Sequence, residues 1–353
     1  MTDYILHIFP YEKFTDAFIN FINQNFDIRE HKFVLFGEKK YNVNICDYPN
    51  VFEFFEIDYS GLKRICNVCS KIIVHGCMGS KLLVFFILHP KFYEKLYILF
   101  WGGDLYRKRN PIKNIKDYFY EKLRTFLFQR AKQILTLVKG DFDLAQKWYG
   151  IKGIYYDCKY YLPSYSEDVI EMLNRTDNPA IVNIQIGNSA TETNHHIEIL
   201  TGLKKFSNEN IHIYLPMSYG DFNYREEVEK VAKEWFGEKV TIMKEFYKPE
   251  IFNQHLANMD IAIFNNDRQQ ALGNIYMLIC LKAKVYMRSD TSMWDEMTNI
   301  LGCQLEDVKQ IEQETFESFI KKENNILEKN SKIIKKYNSL DYAKEIWTKI
   351  FEA

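Results

Sequence analysis

The run Phe264-Asn265-Asn266-Asp267-Arg268-Gln269-Gln270-Ala271-Leu272-Gly273-Asn274 leads from an apolar, strand-like stretch into a helix-like one through an unbroken series of strongly polar side chains. Arg268 can neutralise a phosphate. Gln269 and Gln270 can donate to phosphate oxygens or sugar hydroxyls at a helix amino end, where the backbone dipole already favours an anion. A solvated loop explains the polarity but not Gly273, which costs a helix about 1 kcal/mol relative to Ala. Gly187-Asn188-Ser189 has a similar setting. Gly lets backbone approach a ligand, and Asn and Ser add donors near a helix start. Taken alone, that triplet is in most cases an ordinary strand-to-helix turn.

Two other residues can move protons. Asp104 follows Gly102-Gly103 at a strand end, between the aromatic Trp101 and Tyr106. It can serve as a general base, orient a hydroxyl or cap a helix. His75, before Gly76, can be a base, a phosphate contact or a core histidine. Cys66-x2-Cys69 with His75 and Cys77 raises the question of zinc. The spacing fits no familiar pair of knuckles, and Cys66 to Cys69 is one helical turn, so buried thiols are expected and no metal site.

These residues need elements to hold them, and the chain alternates short β-rich runs with helical periodicity. Strands are expected at 4–9, 32–36, 71–74, 97–100, 134–138 and 154–156, then at 180–186, 211–215, 240–243, 260–264 and 284–287. Helices are expected at about 193–206, 223–236, 249–257 and 269–281. Residues 164–178 read as a polar connection. The expected organisation is an α/β domain over 1–165, a linker at 166–178, a second over 179–335, and a terminal helix at 336–353 that packs back on the first. Ligands on parallel sheets bind where strands end at their carboxyl side, which is where all four candidate stretches fall.

The chain of 353 residues is 47% hydrophobic and 26% charged, with a net charge of −1, the profile of a folded protein and not of a wholesale nucleic-acid binder. That near-neutrality is uneven: residues 1–165 carry a net +7 and residues 166–353 a net −8. The first excess lies in 105–133, where nine basic side chains face two acidic ones. Apolar residues recur there at helical spacing, the profile of an interfacial helix on an anionic membrane, with Lys113, Lys116, Lys122 and Arg124 as the candidate membrane-facing cations. A plain helix covering the sheet is the alternative. An odd count of seven Cys and no visible signal peptide fit a reducing, cytoplasmic setting.

The motifs together resemble glycosyltransferase family 56, bacterial enzymes that move 4-acetamido-4,6-dideoxygalactose from its TDP-sugar to a lipid-linked disaccharide in enterobacterial common antigen synthesis. The resemblance rests on His75-Gly76, Trp101-Gly102-Gly103-Asp104-Leu105-Tyr106, Gly187-Asn188-Ser189 with Asn194-His195, Pro216-Met217-x-Tyr219, Arg268-Gln269-Gln270-x-x-Gly273 and Trp294-x-x-Met297-Thr298. It implies a GT-B-type α/β fold, two Rossmann-like parallel-sheet domains facing a cleft, and a metal-independent enzyme without a cofactor. It also implies a nucleotide-diphosphate sugar and a lipid-linked glycan as partners, met on the inner face of the cell membrane. By that resemblance Gly187, Asn188, Ser189, Arg268, Gln269, Gln270 and Gly273 hold the donor. Tyr219 is a candidate for the nucleoside, as are Phe246 and Tyr247 by position. Asp104 or His75 serves as base if the reaction inverts. The family pattern Gly-Asn-Ser-Gly-Asp reads Gly-Asn-Ser-Ala190-Thr191 here, which bears on the identity of the sugar. A nucleotide-sugar epimerase on the same fold and a non-catalytic membrane adaptor are the alternatives.

Overall fold

The computed structural model describes residues 4–39, 43, 48–54, 58–76, 78–176 and 180–353; Cys46 and Cys77 lie outside the described residues. The chain forms two compact units, one of residues 1–162 with 340–353 and one of residues 163–339.

The first unit is built on seven parallel strands: β1 (Ile5–Pro10), β2 (His31–Phe36), β3 (Val51–Phe54), β4 (Lys71–His75), β5 (Leu96–Phe100), β6 (Gln133–Thr136) and β7 (Ile154–Asp157). Their spatial order is β3-β2-β1-β4-β5-β6-β7. Central strands such as Leu96–Phe100 (LYILF) are buried at every position, as a parallel sheet covered on both faces requires. One core layer contains Leu6, Ile72, Val74, Ile98 and Ile134. The opposite layer contains Phe18, Phe33, Leu99 and Leu135 with Trp347 and Ile350 of the terminal helix Leu340–Glu352. That helix is tied down by Trp347 Nε1, which donates to the Lys159 carbonyl at 2.7 Å.

The second unit repeats the plan with β8 (Val182–Ile186), β9 (Ile211–Pro216), β10 (Val240–Met243), β11 (Ile261–Phe264), β12 (Lys284–Met287) and β13 (Glu306–Asp307), in the order β10-β9-β8-β11-β12-β13. In both sheets the strand order reverses beside the first strand, between β1 and β4 and between β8 and β11. The fold class is therefore α/β, with two Rossmann-like parallel sheets. The helices Leu272–Cys280 and Asn324–Tyr337 pack together in the second unit. Residues 167–172, within the stretch expected to be a connection, form a short helix whose Ser166 cap accepts from the Val169 N–H at 3.4 Å.

Cys66 and Cys69 are buried free thiols, and among the described residues no group of three His, Cys, Asp or Glu side chains is arranged to hold a metal ion. Also among the described residues, no helix is long and apolar enough to cross a membrane.

Candidate active site

In the second unit the two sequence-predicted polar stretches meet. Gly187 leaves β8 with φ at 65°, and its N–H donates to the Ile263 carbonyl of β11 at 2.9 Å. A Cβ there would lie 2.5 Å from His196 Nε2 and 2.7 Å from Asn194 Oδ1, so both conformation and space demand glycine. Asn188 is the hub. Its N–H donates to Asn194 Oδ1 (3.1 Å), its Nδ2 to Tyr219 Oη (3.0 Å), and its Oδ1 accepts from Gln270 Nε2 (3.1 Å). Gln270 Oε1 accepts in turn from Thr193 Oγ1 at 2.9 Å. Asn194 Nδ2 donates to Thr191 Oγ1 and, more weakly, to the buried Ser189 Oγ, at 2.6 and 3.3 Å. The loops after β8 and β11, some eighty positions apart, are thus one hydrogen-bonded network. It sits at the strand-order reversal, where sheets of this kind bind ligands.

The backbone here is held in unusual conformations. His195 and Ala271 are non-glycine residues with φ of 49° and 62°, each directly before a helix, His196–Leu203 and Leu272–Cys280. For Ala this conformation costs on the order of 1 kcal/mol, and such strain clusters at functional sites. Arg268 is half-buried, with Nη1 3.4 Å from the Gln269 carbonyl, and Gln269 is buried. Beside them Asp267 Oδ2 lies 3.3 Å from His195 Nε2.

Asn265 and Asn266 are 1% and 0% exposed, and neither their side-chain amide nitrogens nor their oxygens have a hydrogen-bond partner among the described residues. His196 Nε2 shares that condition, in a ring whose pKa burial pushes down to about 3. An unpaired buried amide costs about 1–3 kcal/mol, so two in succession at the strand-order reversal are candidates for contact with a ligand. Their stretch stands out in the sequence, but there the expected roles fall to Arg268, Gln269 and Gln270. The available signal was the Asn pair standing at the strand end itself.

The remaining donor-side residues differ in kind. Gly273 packs closely: a Cβ would come 2.6 Å from the Tyr165 ring, so the glycine makes room for an aromatic side chain. Tyr219 is exposed but bonded into the network through its hydroxyl, and Phe246 and Tyr247 are exposed on the loop after β10.

In the first unit the short helix Gly102–Tyr106 follows β5 and carries Asp104. Its Oδ1 accepts from the Leu105 N–H at 2.7 Å, and its carbonyl accepts from Arg124 Nη2 at 2.5 Å. Burial pushes the carboxyl up to about 7, while Arg124 and backbone N–H donors including Leu105 pull the other way. That value suits a general base near neutrality.

Two expected assignments are corrected. His75 is fully buried, with Nδ1 2.7 Å from Tyr160 Oη and Nε2 3.1 Å from His7 Nδ1, and burial holds its pKa well below the usual range. With both nitrogens engaged inside the core, it is not a base for substrate. Arg124 does not face a membrane: it is 3% exposed, pairs with Glu121 at 2.7 Å and braces the Asp104 carbonyl. By contrast, Lys113, Lys116 and Lys122 are exposed along the helix Ile115–Phe128 and its leading turn.

Residues 62–351 match the family model described as 4-alpha-L-fucosyltransferase, glycosyl transferase group 56. The chain belongs to glycosyltransferase family 56. As a family 56 enzyme it transfers a sugar from a nucleotide-sugar donor to an acceptor. Its fold is similar to a glycosyltransferase of Rickettsia africae, at 13% identity and a TM-score of 0.70, covering 100% of this chain and 98% of that one. It is also similar to a UDP-forming α,α-trehalose-phosphate synthase of Burkholderia vietnamiensis (9% identity, TM-score 0.65, 99% of this chain and 100% of that). An E. coli structure bound with UDP-2-fluoro glucose matches at 9% identity and a TM-score of 0.63, over 98% of each chain. At such identities the likeness concerns fold, and the fold is the GT-B type.

Proposed function

We propose that this family 56 enzyme transfers a deoxy or deoxyamino hexose from a nucleotide-diphosphate donor, TDP-sugar favoured, to a lipid-linked oligosaccharide during surface-glycan synthesis. The observation that carries the reading is the network joining Gly187, Asn188 and Ser189 to Gln270 beside Arg268. In this reading Arg268 and Gln269, with the amino ends of the helices His196–Leu203 and Leu272–Cys280, stabilise the charge that develops on the departing diphosphate. No metal is called on. Tyr219 packs against the nucleoside, with Phe246 and Tyr247 as further ring surfaces. The acceptor hydroxyl oxygen bonds to the anomeric carbon, the sugar–phosphate bond breaks, the nucleotide leaves with the electron pair, and the hydroxyl proton passes to Asp104.

A membrane-borne acceptor is supported by the helix Ile115–Phe128. Ile112, Ile115, Phe119, Leu123 and Phe126 are all 36–65% exposed beside Lys113, Lys116 and Lys122. Apolar side chains interleaved with lysines suit the headgroup layer of an anionic leaflet, on the inner face of the cell membrane.

Product analysis with radiolabelled TDP-, UDP- and GDP-sugars, each with and without lipid-linked acceptor, tests the reading. Label moving to lipid from a TDP-sugar supports it. An altered free nucleotide-sugar without transfer identifies an epimerase. No reaction with any donor, alongside vesicle binding, identifies an adaptor.

A further inference from the structure

One face of the first sheet carries a chain of hydrogen-bonded rings that the reaction scheme leaves unused. His31 Nδ1 lies 3.1 Å from His7 Nε2, and His7 Nδ1 lies 3.1 Å from His75 Nε2. His75 Nδ1 is 2.7 Å from Tyr160 Oη, to which Trp101 Nε1 donates at 3.2 Å. The three histidines stand on the adjacent strands β2, β1 and β4, and are 2%, 0% and 0% exposed. Trp347 and Phe351 of the terminal helix pack on their rings.

The outer end of the chain has a fixed donor. An indole N–H only donates, so Tyr160 Oη accepts from Trp101. In the polarity taken here the tyrosine hydroxyl donates to His75 Nδ1, which makes His75 the Nε2–H tautomer. That N–H donates to His7 Nδ1, and His7 Nε2–H donates to His31 Nδ1. This polarity satisfies every link with neutral rings, as does its reverse with Tyr160 Oη accepting from both Trp101 and His75, and in either a proton added to His7 would set two donors face to face. Burial accordingly holds His7 and His75 well below the usual histidine range and His31 at about 4, with Asp27 opposing the shift at His31.

The chain grips the residue that introduces the Asp104 helix. Gly76, with φ at 61°, leaves no room for a Cβ, which would sit 2.2 Å from the Trp101 ring. Trp101 thus lies against Gly76 with its indole N–H held by Tyr160, and its backbone contributes a hydrogen bond to the Asp104 carboxylate. We propose that His31, His7, His75 and Tyr160 are positioning residues, a tautomer-locked chain that fixes the Trp101 indole and so sets where the Asp104 carboxylate is presented. Among the described residues, Arg124, Tyr149 and Tyr160 are the charged and titratable groups facing that carboxylate, and Tyr160 itself is faced by His75 and the titratable Cys158. The bearing on turnover rests on the role given to Asp104 above; the chain itself does not.

The test is carboxyl 13C NMR titration of the full-length protein, with the Asp104 signal identified by its loss in Asp104→Asn. Tyr160→Phe keeps the ring and removes the link, and the Asp104 midpoint moves by about 0.5 in pH or more. His7→Leu, two links further in, moves it in the same direction by less; should that variant not fold, His31→Leu takes its place. 15N spectra find His7 and His75 as neutral Nε2–H tautomers. An Asp104 midpoint in Tyr160→Phe equal to the wild type overturns the proposal, because a packing role lowers Tm without moving it. So does a Tyr160→Phe shift with no change in the folded inner variant, or an Nδ1–H tautomer at His75. Absence of sugar transfer by the wild type contradicts the functional reading and leaves the titration result standing.

Discussion

Arg268 and Asp104 have opposite demands on their surroundings. Arg268 is half-buried at the strand-order reversal of the second sheet, next to the buried Gln269, and the reading gives it the charge of the departing diphosphate. Arg268→Ala is expected to lower kcat/KM by about 10² or more while Tm stays within a degree or two, the scale found when one stabilising donor is removed from a developing anion. Unchanged kinetics would remove it from the phosphate site. Asp104 must be ionised to accept a proton, and burial lifts its carboxyl to about 7. Activity therefore rises as pH increases through about 7 and levels off above it. Asp104→Asn loses on the order of 10² in kcat together with that pH dependence. A flat profile from pH 5.5 to 8.5 in the wild type would take the base role away from Asp104.

Among the elements, the helix Ile115–Phe128 serves two purposes on two faces. Leu127, Phe128 and Arg124 turn inward, and Arg124 braces the Asp104 carbonyl; the opposite face exposes apolar side chains and lysines. Replacing Lys113, Lys116 and Lys122 with Gln is expected to weaken binding to anionic vesicles, with a smaller salt dependence left behind. Equal binding in a co-sedimentation assay would favour a helix that only covers the sheet. The histidine strands predict a second behaviour. His7, His75 and His31 are held neutral when folded and titrate near 6.5 when unfolded, so the unfolded chain binds more protons in acid. Their contribution is fully present above about pH 6.5 and is lost as pH falls towards 4, by about 1.4 kcal/mol per pH unit for each group. Asp104 and Asp157, both raised by burial, work in the opposite sense, and the buried His196 and half-buried His255 of the second unit add to the histidine side. Urea midpoints at pH 7.5 and 5.5 should show the lower stability at 5.5; equal midpoints would contradict this balance.

Most strands were legible from apolar runs closed by turn residues, because a parallel sheet buries both faces and leaves an unbroken apolar signature. Val51–Phe54 and Glu306–Asp307 escaped because short edge strands bury too little to be patterned that way. Of the site, Gly187 and Gln270 were readable because glycine and consecutive polar side chains at a strand end conflict with plain secondary structure. That Asn188 joins them, that His75 is wrapped in aromatic rings, and that Arg124 points inward are consequences of long-range packing that spacing along a chain does not encode.

For the whole molecule, a net charge of −1 conceals halves of +7 and −8. The basic excess belongs to one helical stretch in the first unit, and the donor residues belong to the acidic second unit, where a local Arg268 matters more than overall charge. The second Rossmann-like sheet places its candidate residues where strand order reverses, and the central claim is that this reversal holds a nucleotide diphosphate. A crystal structure of the protein soaked with TDP tests this most directly. The account predicts diphosphate oxygens within hydrogen-bond reach of Arg268 and of the Gly187–Ser189 loop. A nucleotide bound elsewhere, with Arg268 and Asn188 untouched, would contradict it.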